Sequence, residues 1–507
     1  MSANHATRVL CAAVVVQPAF GDVVFRELCV PRVRTLAPWP GIDMVAVARH
    51  AAWAIQQRNR RNGVLSAALL AAVASLVFEV AAPGVGVTLA CGVVAAATVW
   101  ALGDQVRFAR RAARIVDVDI DPDLGQGLLP AAHEQRLAAV NDTNLLVYGS
   151  ALDTDPFPGA GQRVNVRLLQ SFDIGKPKDD TKPARAFTPS DLLEHLAKRL
   201  PSYIPRTNTA ESRRARMVLY ANGSLLDQVP GLLPDPLGPP LLRAPSSLLR
   251  QVADSKGNML RTYLRVQVIG HSGELVTTFH LAAEVSPVGL SLDLALHVLR
   301  PVNGAFYDAR RLPRATGSLV WYLFVREWIV VRLVGAWAAG RNRGGRVDGL
   351  FRGRERSLLA ALPRVLRGSA RLAEARTAPR LTRTQRRGAH ARDLYGTGMS
   401  VREATSYSTE LDHNERTDAN KHFNDIFTAI LKELVSFLES RNIDPYDLLQ
   451  EKSNIIQNFT TEFHQTINGS YHAGIHANGN ISVGGNLQAN ANNFPNLAQQ
   501  QQQQQNP

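Results

Sequence analysis

Two apolar runs, parted by Pro83 and Gly84, dominate the hydropathy pattern. Residues 63–103 hold one charge, Glu79. Each run is about twenty residues, enough to cross roughly 30 Å of hydrocarbon as a helix. In lipid every backbone N–H and C=O must be bonded internally, and the Ala, Leu and Val content of 64–82 and 85–102 suits a helix. Pro83 ends the first run and Gly84 lets the chain reverse. Small residues such as Ala71, Ala72, Gly86, Ala90 and Gly92 would let the two helices approach closely. Arg58, Arg60 and Arg61 precede the first run; Arg107, Arg110, Arg111 and Arg114 follow the second. Basic flanks on both sides predict a hairpin in the inner, plasma membrane with both termini in the cytoplasm. The competing reading is a buried helical pair in a soluble domain. Glu79, with two helices and no partner carboxylate, is a weak pointer to an ion path.

Outside the hairpin the pattern is mixed. Residues 9–16 form an apolar run too short for a signal peptide, read as a strand or a buried helical turn. Residues 40–57 predict a helix leading to the membrane, with Pro40 near its start. In 115–123, apolar residues alternate with Asp117, Asp119, Asp121 and Asp123. A calcium loop would need Gly at its sixth position and Glu at its twelfth, where Pro122 and Leu128 stand, so an acid-faced strand is expected. Residues 145–148, 164–174 and 217–220 read as strands. Thr188, Pro189 and Asp191 open a helix bearing Leu192, Leu193, Leu196 and Leu200. Residues 263–269 alternate, 275–284 continue as a second strand after a turn, and Leu290, Leu292, Leu294, Leu296 and Val298 keep a strict period of two, which predicts an antiparallel meander with one buried face. His280 and His297 fall on its polar side, read as surface histidines before metal ligands.

Residues 319–339 are apolar but include Arg326, Glu327 and Arg332, costly at mid-bilayer. With Trp321, Trp328 and Trp337 they predict an interfacial helix over 315–340. Phe423, Ile426, Phe427, Ile430, Leu431, Leu434 and Leu438 keep helical spacing. Asn442 to Pro445 breaks that helix, and Leu448, Ile455, Ile456 and Phe459 start another. The tail from 467 is rich in Gly, Asn and Gln.

The expected fold class is therefore α+β. A membrane hairpin (63–103) follows an N-terminal cytoplasmic segment (1–62). A cytoplasmic α+β domain (115–313) is built on the meander. The interfacial helix, an Arg-rich segment (341–392), a C-terminal helical hairpin (393–466) and the low-complexity tail (467–507) complete the order.

Charge alters this picture at one place. The net formal charge is +14, and 341–392 carries fifteen arginines against three acids. Next to a membrane anchor, such a segment points to anionic lipid on the cytoplasmic leaflet. A solvated linker is the plainer alternative. Nucleic acid is the weakest reading, resting on one Arg-Gly-Gly-Arg fragment ending at Arg346. Three cysteines (Cys11, Cys29 and Cys91) make no disulfide framework and fit a reducing compartment.

Candidate chemistry is sparse. Lys176 lacks the glycine spacing and Ser/Thr of a P-loop, and no G-x-S-x-G, H-E-x-x-H or C-x-x-C occurs. His472 and His476 share strand parity but lack a third ligand. Pro156-Phe-Pro-Gly-Ala-Gly161 has prolines where a phosphate cradle needs N–H groups, so it reads as a tight turn. No catalytic, cofactor-binding or metal-ligating residue is nominated.

The order of these pieces resembles a group of uncharacterised integral membrane proteins of high-GC Gram-positive bacteria. The resemblance is carried by the short Leu10-Cys-Ala-Ala13 segment, the Gly41 to His50 stretch, the membrane pair, Tyr148, the Pro156–Gly161 turn and the meander. The Phe437-Leu-Glu-Ser-Arg-Asn-Ile-Asp444 helix end before a Gly-rich tail completes it. It implies membrane location and this architecture, and it brings no activity. The function expected is a membrane-anchored interaction or scaffold protein, self-association included. The alternatives are a tethered enzyme with a dispersed site beside the meander and an oligomeric membrane-perturbing effector.

Overall fold

The computed structural model describes residues 4–29, 34–78, 83–149, 155–203, 213–223, most of 226–255, 260–313 save 288, 315, 317–321, 395–397, 400–406 and 411–450. Glu79, nearly all of the expected interfacial helix, the Arg-rich segment, most of the second C-terminal helix and the tail lie outside the described residues.

Alternation in the meander builds the sheet. Six strands stand in the order β1-β3-β4-β5-β6-β2: β1 (Leu145–Tyr148), β2 (Gln162–Asp173), β3 (Arg213–Asn222), β4 (Leu260–Gly270), β5 (Leu275–Val285) and β6 (Gly289–Leu299). Only β1 and β3 run parallel; every other pair is antiparallel. The sheet curls into a half-barrel. On one face Leu264, Val266, Phe279, Leu281, Leu294 and Leu296 pack against two helices. The first, α6 (Pro189–Arg199), opens with a capping box between Thr188 and Asp191. The second, α9 (His413–Ser440), opens with another between Asp412 and Glu415. The apolar spacing read in 423–438 is thus spent inside the chain, where Phe423 and Phe427 stack at 5.6 Å. The helix ends at Ser440, and Asn442, two residues on, turns the chain away with a φ of 57°.

A second core joins the N-terminus to the membrane-length helices. Of the two readings of residues 9–16, the buried helical one holds and the strand does not. Those residues belong to α1 (His5–Val16), capped by the Asn4 side chain. Leu10, Cys11, Ala12 and Ala13 are fully buried between α3 (Met44–Phe78) and α4 (Val85–Asp117). Tertiary packing makes a helix where an eight-residue apolar run alone could not decide. Helix α2 (Pro18–Val24) and a π-helical turn, Phe25–Cys29, follow. Pro40 does not start the next helix. Asp43 caps it, accepting from the N–H groups of Val45 and Ala46 at 3.0 Å each. The strand expected at 115–123 is also absent: α4 runs on to Asp117, and turns follow. Ile115 and Val116 are buried in this second core, so packing against α1 overrides the local alternation.

Helices α3 and α4 therefore have two regimes. Their basal turns are fixed to the body, with ion pairs Arg49–Glu134 at 2.8 Å and Arg58–Asp22 at 2.6 Å. Beyond Gly63 and before Leu102 they project apolar side chains outward. Leu70 is 71% exposed, Val77 70% and Val99 70%. Both helices are long and apolar enough to cross a membrane. The helix is continuous across Gly63 and Gly103, so neither position is a structural break.

Candidate functional site

The face of the sheet opposite α6 and α9 is set by strand parity. If Leu264 and Val266 point to the core, then Tyr263 and Arg265 point the other way. The same holds for His280 on β5, for Ala295 and His297 on β6, and for Tyr220 and Arg216 on β3. Register aligns four of them in a cross-strand row: Arg216 opposite Arg265, Arg265 opposite His280, His280 opposite Ala295.

This face is not exposed to solvent. His280 is 1% exposed and His297 0%, which corrects the expectation of surface histidines. The lid is the Pro156–Gly161 turn, and Phe157 is its plug. Its ring stacks on His280 at 4.0 Å and meets Tyr220, Tyr263 and His297 edge-on at 5.0–5.1 Å. Next to it, His297 Nε2 lies 3.1 Å from Asp155 Oδ1. Among the described residues, neither ring nitrogen of His280 has a hydrogen-bond partner. Burial, then the neighbouring His297, Arg265 and Arg163, hold its pKa well below the ordinary value, so the ring is neutral.

The arginines meet the end of another helix. Helix α5 (Ala131–Val140) directs its C-terminal carbonyls at β3. Arg214 and Arg216 donate to the Asn141 carbonyl at 3.2 and 2.6 Å. Arg214 also pairs with Asp142. Cations at the negative end of a helix dipole are stabilised there. Burial, with Arg265 and Arg214 close by, still pulls the Arg216 pKa down to about 9. Burial likewise lowers Arg265, and it raises Tyr220 beside that guanidinium. Asn141 closes the arrangement, accepting from Trp39 N–H at 2.8 Å and donating to the Ile42 carbonyl at 2.9 Å.

The turn itself is clamped by a residue some 240 positions on. Glu403 lies on α8 (Val401–Ser406) and is buried. Its Oε1 accepts from Gly159 N–H and Gly161 N–H at 3.0 Å each, and its Oε2 from Ser400 N–H at 2.7 Å. Gly159 (φ 81°) and Gly161 (φ 96°) occupy left-handed backbone, and a Cβ on Gly161 would meet Leu299 Cα at 2.6 Å. Ser400 Oγ accepts from Glu403 N–H at 3.0 Å, which completes a capping box. Beside Glu403, the buried Arg402 donates to the carbonyls of Glu274 and Arg300 at 2.9 and 3.1 Å. Burial draws its pKa down to about 10. The reading of the motif as a tight turn holds. The local trace of its clamp is Ser-x-x-Glu at 400–403, a capping signature that does not reveal the partners on the turn.

Chemically this is a sealed polar and aromatic nest. It joins the N-terminal loops and α8 to the sheet. Two histidines come together, but among the described residues no group of three His, Cys, Asp or Glu side chains is placed to hold a metal. Asp119, Asp121 and Asp123 lie in the turns after α4. His472 and His476 lie outside the described residues.

The chain belongs to the AbeC-like domain family, whose model matches residues 162–487, more than half of its length. The match begins at β2 and so takes in the meander, α6, α8 and α9. The membrane-length helices, β1 and the Pro156–Gly161 turn precede it. No curated protein and no solved structure matches the chain.

Proposed function

We propose that this member of the AbeC-like domain family is a membrane-anchored interaction protein. Helices α3 and α4 cross the inner, plasma membrane as a hairpin. Both termini and the α+β body stay on the cytoplasmic side, and the body presents a surface to a protein partner or to further copies of the chain. The Arg-rich segment 341–392 lies against anionic lipid. The observation that carries the reading is the contrast along α3 and α4: basal turns locked into a core, then exposed Leu70, Val77 and Val99. Residues 64–78 and 85–102 rise about 23 and about 27 Å as helix. With the turn between them, that nearly matches a hydrocarbon core of roughly 30 Å. Such a stripe in water would be an aggregation hazard.

The competing enzyme reading rested on polar groups beside the meander. Those groups are packed under Phe157, so a substrate would first have to displace that ring. Their arrangement favours a structural role. A self-association surface would have to be other than the apolar face of α9, which the sheet occupies.

The test begins with alkaline carbonate extraction of membranes holding the full chain. The protein should stay in the pellet. The double variant L70R/V94R should leave it, since each mid-span arginine costs about 2.5–3.5 kcal/mol on insertion. Release of the wild type into the supernatant would overturn the anchor. Cross-linking on intact membranes, read by mass spectrometry, should give a reproducible protein partner or a homo-oligomer. A monomer with no cross-linked neighbour would overturn the interaction role.

A further inference from the structure

A cleft of about 510 Å³ opens between α3 and α4 where their apolar stretches end and their basal turns begin. Its walls carry six arginines: Arg60, Arg61, Arg107, Arg110, Arg111 and Arg114. Among the described residues the one acid in the lining is Asp104, which pairs with Arg107 at 3.4 Å. The lining is therefore strongly cationic, although Arg61 and Arg110 also engage other groups. The remaining lining is largely aromatic. Trp53 stacks on Phe108 at 4.8 Å, and the Arg111 guanidinium sits 5.1 Å above the Trp53 ring. Trp100 closes the end next to the apolar stretch.

Helical spacing explains why these groups converge. Trp53, Gln57, Arg60 and Arg61 recur at intervals of three and four on α3, and Trp100, Asp104, Arg107, Phe108 and Arg111 do so on α4. The two helices run antiparallel, so these stripes face one another just inside the spans. Guanidinium groups bind phosphate through paired N–H donors. Trp rings prefer the headgroup level, where one edge is apolar and the other wet. A soluble anion would need only the arginines. Six of them beside an aromatic rim, at the foot of exposed apolar helices, suit a phosphate that carries acyl chains.

We propose that this cleft binds the phosphate headgroup of an anionic glycerophospholipid. The acyl chains run along the exposed sides of α3 and α4. The site is built by the helix pair and is separate from the Arg-rich segment 341–392. It rests on the reading that α3 and α4 span the bilayer.

The full chain, reconstituted in vesicles of phosphatidylcholine with a minor share of phosphatidylglycerol, is released and read by native mass spectrometry. Wild type should retain phosphatidylglycerol over phosphatidylcholine. The R107Q/R111Q variant should lose about tenfold of that preference, the scale of one or two charge-assisted contacts, although all fifteen arginines of 341–392 remain. Excess inorganic phosphate should not displace the lipid. An unchanged preference in the variant would overturn the proposal, and displacement by inorganic phosphate would overturn the choice of lipid over a soluble anion. Carbonate extraction of the same samples keeps the two readings apart. A pelleted protein without lipid preference refutes the cleft alone, and a soluble wild-type protein refutes the anchor.

Discussion

Glu403 offers the sharpest perturbation, because one carboxylate holds three N–H groups, two on a turn some 240 positions earlier and one at the start of its own helix. Replacing it with alanine strands Gly159 and Gly161 on the turn and Ser400 at the start of α8. An unsatisfied buried donor costs about 1–3 kcal/mol. Loss of the buried charge offsets part of this, since burial alone raises the Glu403 pKa against the pull of those same bonds. The net for Glu403→Ala is about 3–4 kcal/mol. Glu403→Gln keeps one oxygen in place and should cost about 1 kcal/mol. The readout is already in the chain. Cys11 and Cys29 are buried in the core that also contains Val401 and Ala404. Val401 N–H donates to Glu27 Oε1 at 3.3 Å, tying α8 to the turn that bears Cys29. Thiol labelling in native membranes should follow the population of the opened form. At roughly 1.4 kcal/mol per decade, Glu403→Ala should speed labelling of Cys11 and Cys29 by two to three decades, roughly. Glu403→Gln should speed it by about a factor of five. A folded Glu403→Ala protein whose labelling changes less than about threefold would refute the clamp.

Three further outcomes follow from the same geometry. Phe157→Ala should destabilise the body by about 3–5 kcal/mol in urea unfolding of the detergent-solubilised chain, because four rings lose their common neighbour. Gly161→Ala should be at least as damaging by the same measure, since its φ is 96° and its Cβ would strike Leu299. Stability should fall as pH drops below the ordinary histidine value of 6.5. There the unfolded chain protonates His280 while the folded chain, with its pKa depressed, does not. The loss is up to about 1.4 kcal/mol per pH unit from this group. His280→Phe should remove one proton's worth of that slope, and an unaltered slope would contradict a neutral buried ring.

Much of the architecture was legible because its periods were clean. Alternation in β4 and the strict period of two in β6, either side of β5, announced the meander, and helical spacing with a Thr188 cap announced α6. What failed had non-local causes. Parity put His280 and His297 on the correct face, but their burial comes with the segment bearing Asp155 and Phe157, more than a hundred positions earlier. The alternation around Asp117 and Asp119 imitated a strand, but the packing of Ile115 and Val116 against α1 extends α4 to Asp117 and leaves the rest to loop and turn. Residues 9–16 lacked the length to show a period until α3 and α4 enclosed them. The Glu403 clamp had a local trace in Ser400-x-x-Glu403, yet its partners on the turn could not be read from spacing across 240 residues.

The anchor is the claim on which the rest depends, and the three cysteines test it without any substitution. Cys11 and Cys29 are buried in the body, whereas Cys91 is exposed on the outer part of α4. If α4 lies in lipid, a water-soluble maleimide applied to opened native membranes should promptly label no thiol, and all three after denaturation in detergent. One promptly labelled thiol per chain, mapped to Cys91, would place that helix in water and contradict the account.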